Sequence, residues 1–249
     1  MIYLYGLLDC AEPPKTEDLK GVTGPVLAHH LDQGWLVYGQ SDEGDILPKR
    51  RYLLAHTKVQ EALMAAGTFL PMQFGMFADD LKQISGLLAE NASEIAERFR
   101  ALEGQVEVGL RIAFPRDAAL DATLAGNPRL NKEHARLARM SAPPHFQVAE
   151  FGRHLADALD ARRGAAQKRL VAALRHHWSD HVVKAPNSDI EVLSVECLLP
   201  EAEIEALASG AQDAALQLTD FAGNAEPTVQ IVGPAPAFHF ASLSLAPRA

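Results

Sequence analysis

The stretch GTFLPMQFGM, Gly67 to Met76, decides how the first half of this chain folds. It follows LPKRRYLLAHTKVQEALMAA, residues 47–66, in which Tyr52, His56, Val59 and Leu63 recur at helical spacing. Gly67 is suited to end that helix. Beyond it, Leu70, Met72, Phe74 and Met76 alternate with Pro71, Gln73 and Gly75, the period of a strand with one apolar face. A proline and a glycine on the second face suit a sheet edge, or a strand that another backbone approaches closely. The stretch holds no thiol and no metal-ligand cluster, so it reads as built for packing and recognition.

Working outward, Ile2 to Leu8 is an apolar strand. VLAHHL and WLVYGQ form a hairpin around DQG, with Gly34 supplying the positive φ of the turn. Leu81, Ile84 and Leu88 mark a short helix after the Phe74-Gly75 strand. Asn91 with Glu94 resembles a capping box that opens the next helix, with Ile95, Phe99 and Leu102 inward. In QVEVGLRIAF, Val106, Val108, Leu110, Ile112 and Phe114 alternate without a break. Strands with helices on one face predict a ferredoxin-like α+β domain over residues 1–114.

The stretch PRDAALDATLAGNPRLNKE, from Pro115, is polar and punctuated by proline and glycine, and reads as a linker over about 115–142. A second α+β domain then completes residues 115–249. It has a long helix from beyond Pro144 to about Trp178, a strand IEVLSVECLLP and a helix after Pro200. TVQIV and FHFASLSL close it as a strand pair around Gly233-Pro234, giving a small antiparallel sheet. No internal repeat is visible.

The formal charge of −9 argues against general affinity for nucleic acid or anionic membrane. Cys10 and Cys197 are too few for a disulfide framework or a cysteine metal site and agree with a reducing cytosol. The beginning lacks the leader of a signal peptide, and no stretch approaches the roughly 18 apolar residues of a membrane span. These features predict a soluble, cytoplasmic protein.

Chemistry-bearing residues are sparse. His177 and His181 have the i, i+4 spacing of helical metal ligands, and with His176 they define an alternative reading, a metal-dependent enzyme or sensor. Solvated histidines at a helix C-terminus are the simpler reading. His56 reads as a packed histidine donating one hydrogen bond, because no nucleophile or carboxylate pattern accompanies it. Lys49-Arg50-Arg51 reads as a basic cluster salt-bridged to nearby acids, or else as a contact for an acidic partner. Phe238 and Phe240 read as core plugs. No catalytic, cofactor or metal residue is assigned.

The segment LPKRRYLLAHTKVQEALMAAGTFLPMQFGM resembles the signature region of the gas vesicle protein F/L family, where a histidine-bearing helix leads into a "TVLP-x-x-FG" strand. VQIVGPAPAFHF, Val229 to Phe240, is similar to that family's closing "GPWPPYSF" motif, and MIYLYGLL fits its start. The resemblance spans nearly the whole chain and lies on the F side of the family. Gln73 stands where an arginine is common, and Ala235, Ala237, Phe238 and His239 replace Trp, Pro, Tyr and Ser. Membership implies the same kind of fold and a non-enzymatic gas vesicle assembly protein or minor structural component without cofactors. It also implies the major shell protein, and other gas vesicle accessory proteins, as partners. Leu70, Pro71, Gln73, Phe74, Gly75, Gly233, Pro234, Pro236 and Phe238 are the partner-binding candidates.

Overall fold

The computed structural model describes residues 1–241. It is an α+β protein with two sheets, and among the described residues it has eight α-helices and nine strands. By contact density the chain divides into two compact units. Met1–Glu107 joins the segment from Pro234 onward in the first, and Val108–Gly233 forms the second.

In the first unit, β1 (Ile2–Asp9) is the centre of the sheet. Every residue from Ile2 to Leu8 is buried, as expected of a strand packed on both faces. On one side it pairs antiparallel with β3 (Gly34–Gln40), which pairs in turn with β2 (Leu27–Leu31). The hairpin pairs Leu31 with Gly34, whose φ of 119° lets the turn close over Asp32 and Gln33 alone. On the other side β1 pairs with β4 (Thr68–Pro71) and then with β5 (Phe77–Ala78). The order β2-β3-β1-β4, antiparallel throughout, is that of a ferredoxin-like sheet. The first crossover helix of that fold is replaced by the irregular stretch 10–26.

Helix α1 (Arg50–Met64) lays Val59 and Leu63 into the core formed by Tyr3, Tyr5, Leu8, Val37 and Phe69. Helices α2 (Leu81–Glu90) and α3 (Ala92–Leu102) follow β5. Leu4, which alternates to the opposite side from Tyr3 and Tyr5, shares a groove with Ile84 and Leu87 of α2, so helices border both sides of β1. The expected capping box at Asn91 is not formed. Asn91 instead donates its side-chain amide to the Leu87 carbonyl, closing α2 rather than opening α3.

In the second unit, β6 (Gln105–Ala113), which begins in the first, buries Val106, Val108, Leu110 and Ile112 as its alternation requires. The expected linker after it is a correction: residues 116–125 and 128–138 are helices, α4 (Arg116–Ala125) and α5 (Pro128–Ala138). Asn127 caps α5 through the Leu130 amide, and Pro128 sits in the first turn, where a missing N–H costs nothing. The long helix α6 (His145–Leu174) stops before Trp178, and β7 (Asp180–Val183) pairs with β8 (Glu191–Pro200). A 3-10 turn, Glu201–Glu203, leads into α7 (Ile204–Leu216) and α8 (Thr219–Ala222), followed by β9 (Thr228–Ala235). The sheet order is β7-β8-β6-β9. Renumbered from β6, this is again 2-3-1-4, now with helices in both crossovers. The two units therefore repeat one strand order, although no repeat is visible in the sequence.

The closing strand pair is a second correction. Residues 238–240 form a turn, with the Phe240 and Ala241 amides donating to the Ala237 carbonyl. The rest of the expected strand, Ser242 onward, lies outside the described residues.

Candidate functional site

The signature stretch is not one strand. β4 ends at Pro71, which has no N–H to carry the ladder on. Its last anchor is the Met72 amide, donating to the Tyr5 carbonyl at 3.0 Å. The chain then leaves the sheet, turns back with Met76 N–H donating to the Gln73 carbonyl, and rejoins β1 where Leu4 N–H donates to the Met76 carbonyl at 2.9 Å. Gly75, at φ 83°, supplies the turn. Gln73–Gly75 is thus a loop bulging from the sheet edge, flanked by β4 and β5.

A buried polar network holds this loop. Gln60, wholly buried on α1, donates its side-chain amide to the carbonyls of Tyr5 at 2.7 Å and Met72 at 2.8 Å. One turn earlier on α1, His56 Nε2 donates to the same Met72 carbonyl at 3.1 Å, which fixes the tautomer and leaves Nδ1 as an acceptor. Tyr3 Oη donates to that Nδ1 at 2.8 Å and accepts from Gly75 N–H at 3.3 Å. Burial pushes the His56 imidazole down to about 4, against a hydrogen bond to Met72 that partly restores it, so the ring is neutral at physiological pH. Burial also raises the Tyr3 phenol, and it pushes Tyr5 up to about 12. The His56 ring is hydrogen-bonded to the Tyr3 phenol and the Met72 carbonyl, and burial keeps that phenol protonated. The arrangement is a brace that joins helix, central strand and loop. The expectation of a packed, hydrogen-bond-donating His56 agrees with it, but Tyr3 and Gln60 were not singled out from the sequence. The i, i+4 spacing of His56 and Gln60 on the helix was the available signal.

Beside the loop lies a groove of about 690 Å³ lined mainly by apolar side chains. Met76, Phe77 and Ala78 form one wall and Ile84, Gly86 and Leu87 of α2 the other, with Leu4 between them. The mid-helix Gly86 leaves open space where a Cβ would stand. Phe74 is half-buried, edge-on to Tyr3 with centroids 6.1 Å apart and to His56 at 5.7 Å.

The sequence candidates separate on this frame. Gln73 and Gly75 are exposed on the loop, Pro71 and Phe74 are half-buried, and Leu70 is only 1% exposed. Leu70 is therefore core rather than surface, paired with Leu7 of the central strand. Gly233 and Pro234 are exposed on β9, whereas Pro236 is buried. Phe240 plugs the core as expected, but Phe238 is 40% exposed. Among the described residues, no hydrogen bond or ring contact links Gln73, Phe74 or Gly75 to Pro236 or Phe238. The closing motif is held instead by Glu107, a buried carboxylate that accepts from both the His239 amide and His239 Nδ1, at 2.8 and 2.7 Å.

Other expectations fail on geometry. α6 ends at Leu174, so His177 and His181 do not share a helical face. His181 lies on β7 and its ring lies 5.1 Å from that of Trp178, while the His176 and His177 rings are tilted against each other with centroids 4.1 Å apart. Burial, and then the neighbouring His176, lower the His177 pKa. Among the described residues no group of three or more His, Cys, Asp or Glu side chains is arranged to hold a metal. Lys49, Arg50 and Arg51 make no ion pair among the described residues. Arg51 lies instead over the Tyr52 ring at 4.5 Å. No described helix is long and apolar enough to cross a membrane.

Comparison with known proteins agrees with this architecture. A crystal structure of gas vesicle protein GvpF from Microcystis aeruginosa superposes with a TM-score of 0.73 at 23% identity, covering 97% of this chain and 99% of that one. The GvpF structure from Anabaena sp. PCC7120 gives 0.79 at 20% identity, covering 98% of both chains. In sequence, gas vesicle protein F of Streptomyces sp. (strain CB03234) is 29% identical over 199 residues, 79% of this chain and 83% of the relative. The Microcystis aeruginosa (strain PCC 7806) protein of the same name is 29% identical over 205 residues, 80% of this chain and 82% of the relative. The model of the gas vesicle synthesis protein GvpL/GvpF family matches residues 1–242, and the chain belongs to that family.

Proposed function

We propose that this protein is a non-enzymatic gas vesicle assembly factor or minor structural component that binds the major shell protein. Its place of action is the gas vesicle in the cytoplasm, and other gas vesicle accessory proteins are its further partners. The proposed contact surface is the Gln73–Gly75 loop with the groove between β5 and α2. The observation that carries the reading is the union of a rigid loop and an open apolar groove. An apolar groove next to a sheet edge suits an amphipathic helix or an added strand from a hydrophobic subunit. The brace from Tyr3, His56 and Gln60 keeps the loop in one shape, so little ordering entropy is lost on binding. Of the sequence candidates, Gln73, Phe74 and Gly75 belong to this surface.

The test is a pull-down with purified major shell protein, followed by asking whether washed vesicles retain the chain. Gly86→Glu fills the groove with a charge while removing a mid-helix glycine, so the fold keeps its stability. Capture by wild type and its loss in this variant supports the reading. Equal capture by both removes the groove.

A further inference from the structure

We infer that the second unit docks a second copy of this chain in a closed two-fold dimer, with α5 of each copy against α7 of the other. The two helices carry opposite net charge. From Pro128 to Arg139 the bases are Arg129, Lys132, Arg136 and Arg139, against the single acid Glu133. At 100° per residue these four fall within about 80° of one another, and all are exposed. The inward side of the same helix carries Leu130 and Leu137. From Glu201 to Gln217, through the 3-10 turn and α7, the charged residues are Glu201, Glu203, Glu205 and Asp213, with no base. All four are exposed, opposite the buried Leu207, Ala211 and Ala215. None of these eight residues forms an ion pair among the described residues. A single-sign basic stripe is unusual on a chain of net charge −9, and its complement stands on the same unit.

Placement makes the pair self-complementary. Both helices pack on α6, α5 near its start and α7 near its end. His134 of α5 stacks on Phe151, and His177, just past the helix, lies against Gly210 of α7. From Phe151 to Leu174 the helix spans about 35 Å. In the proposed dimer two α6 helices lie antiparallel, which sets each α5 against the other copy's α7, so the same patch is used twice and the assembly closes. Midway, Ala161, Gly164 and Ala165 present small side chains outward, with open space around Gly164, and admit close approach. A footprint about 35 Å long and roughly two helix diameters wide reaches the ~800 Å² per partner of a stable interface. Leu216 and Met140, 49% and 39% exposed at the ends of the charged stretches, supply apolar contact.

Sedimentation velocity of the full chain tests this. Wild type should sediment as a dimer at about 0.05 M salt and shift toward monomer at about 1 M, where screening is nearly complete beyond 3 Å. Lys132→Glu/Arg136→Glu turns the net charge of α5 negative like that of α7, Glu201→Lys/Glu203→Lys/Glu205→Lys turns that of α7 and its preceding turn positive like that of α5, and each variant alone should be monomeric. An equimolar mixture of the two should restore the dimer, since each then meets its complement. All substituted residues are exposed, and unchanged melting temperatures confirm folding. A monomeric wild type at every salt concentration overturns the inference. So does a dimer indifferent to either reversal, a mixture that stays monomeric, or growth into species larger than a dimer.

Discussion

Tyr3, on the first strand, donates its hydroxyl proton to His56 Nδ1 on the first helix, 53 residues away and over 2.8 Å. The bond is buried, so losing either partner strands the other without water to replace it. Because Tyr3 Oη also accepts from Gly75, and His56 Nε2 donates to Met72, this contact sets the shape of the exposed loop between β4 and β5.

The pH dependence of stability follows from the neutral ring. His56 has a folded pKa of about 4 against an ordinary 6.5. Between those values the unfolded chain binds the proton and the folded one does not, so stability falls as pH drops from 6.5 toward 4. The depressed pKa contributes a loss on the order of 3 kcal/mol across that window. Urea denaturation of wild type and His56→Gln at pH 7 and pH 4.5 checks this: the variant should be less stable at pH 7 but lose less on acidification. Equal slopes would place the ring in solvent.

Truncations in the signature should rank against side-chain size. Leu70 is 1% exposed in the sheet, and Leu70→Ala should cost roughly 2–5 kcal/mol. Phe74 is half-buried at the loop, so Phe74→Ala removes more atoms yet should cost less, about 1–3 kcal/mol. Melting curves decide the order. A larger loss at Phe74 would mean that the loop closes over it in solution.

Gly6→Ala should be among the most damaging single-methyl changes in the first unit. Its φ of 154° disfavours a side chain, and an added Cβ would collide with the Leu70 carbonyl and lie 2.5 Å from Phe69 Cζ. The register of β1 against β3 shifts between Leu4 and Gly6, so the strand bends where β4 approaches. The expected cost is about 2–4 kcal/mol, read as the shift in urea midpoint at constant slope. A change under about 1 kcal/mol would show that the bend relaxes at little cost.

What was legible in the sequence was whatever one local period could carry. The alternation from Val106 to Ile112 gave β6, and Tyr52, His56, Val59 and Leu63 gave α1. The break of the signature strand escaped because Met72 and Phe74 keep the alternation while Pro71 and Gly75 end the pairing, and the sequence alone did not weigh the two. The helices at 116–138 escaped for a different reason. Their buried faces rest on Ala119, Thr123, Leu130 and Leu137, too few apolar residues to outweigh Pro115, Gly126 and Pro128. Thr123 is buried only because its hydroxyl donates to the Ala119 carbonyl at 2.7 Å. The groove depends on Leu4 and Leu87 meeting across 83 positions, and the repeated 2-3-1-4 order is a property of pairing, which a pattern along the chain does not express.

The last prediction concerns the histidines between α6 and β7. His177 Nε2 stands where a Cβ on Gly210 would fall, and His181 lies against Trp178, so two of the three rings pack on neighbours instead of converging. Burial already lowers the pKa of His177, consistent with a ring that rests neutral against α7. Replacing His176, His177 and His181 together by Gln keeps most of the volume and removes every imidazole ligand from the region. Vesicle formation in a producing cell should be intact, with at most a small loss of stability from the changed packing, roughly 1–2 kcal/mol. Stoichiometric zinc or iron in the purified wild-type protein, together with loss of vesicles in a variant that still folds, would transfer the function to these rings. A variant that forms vesicles with normal yield leaves the loop and groove of the first unit as the surface on which to test the proposed contact.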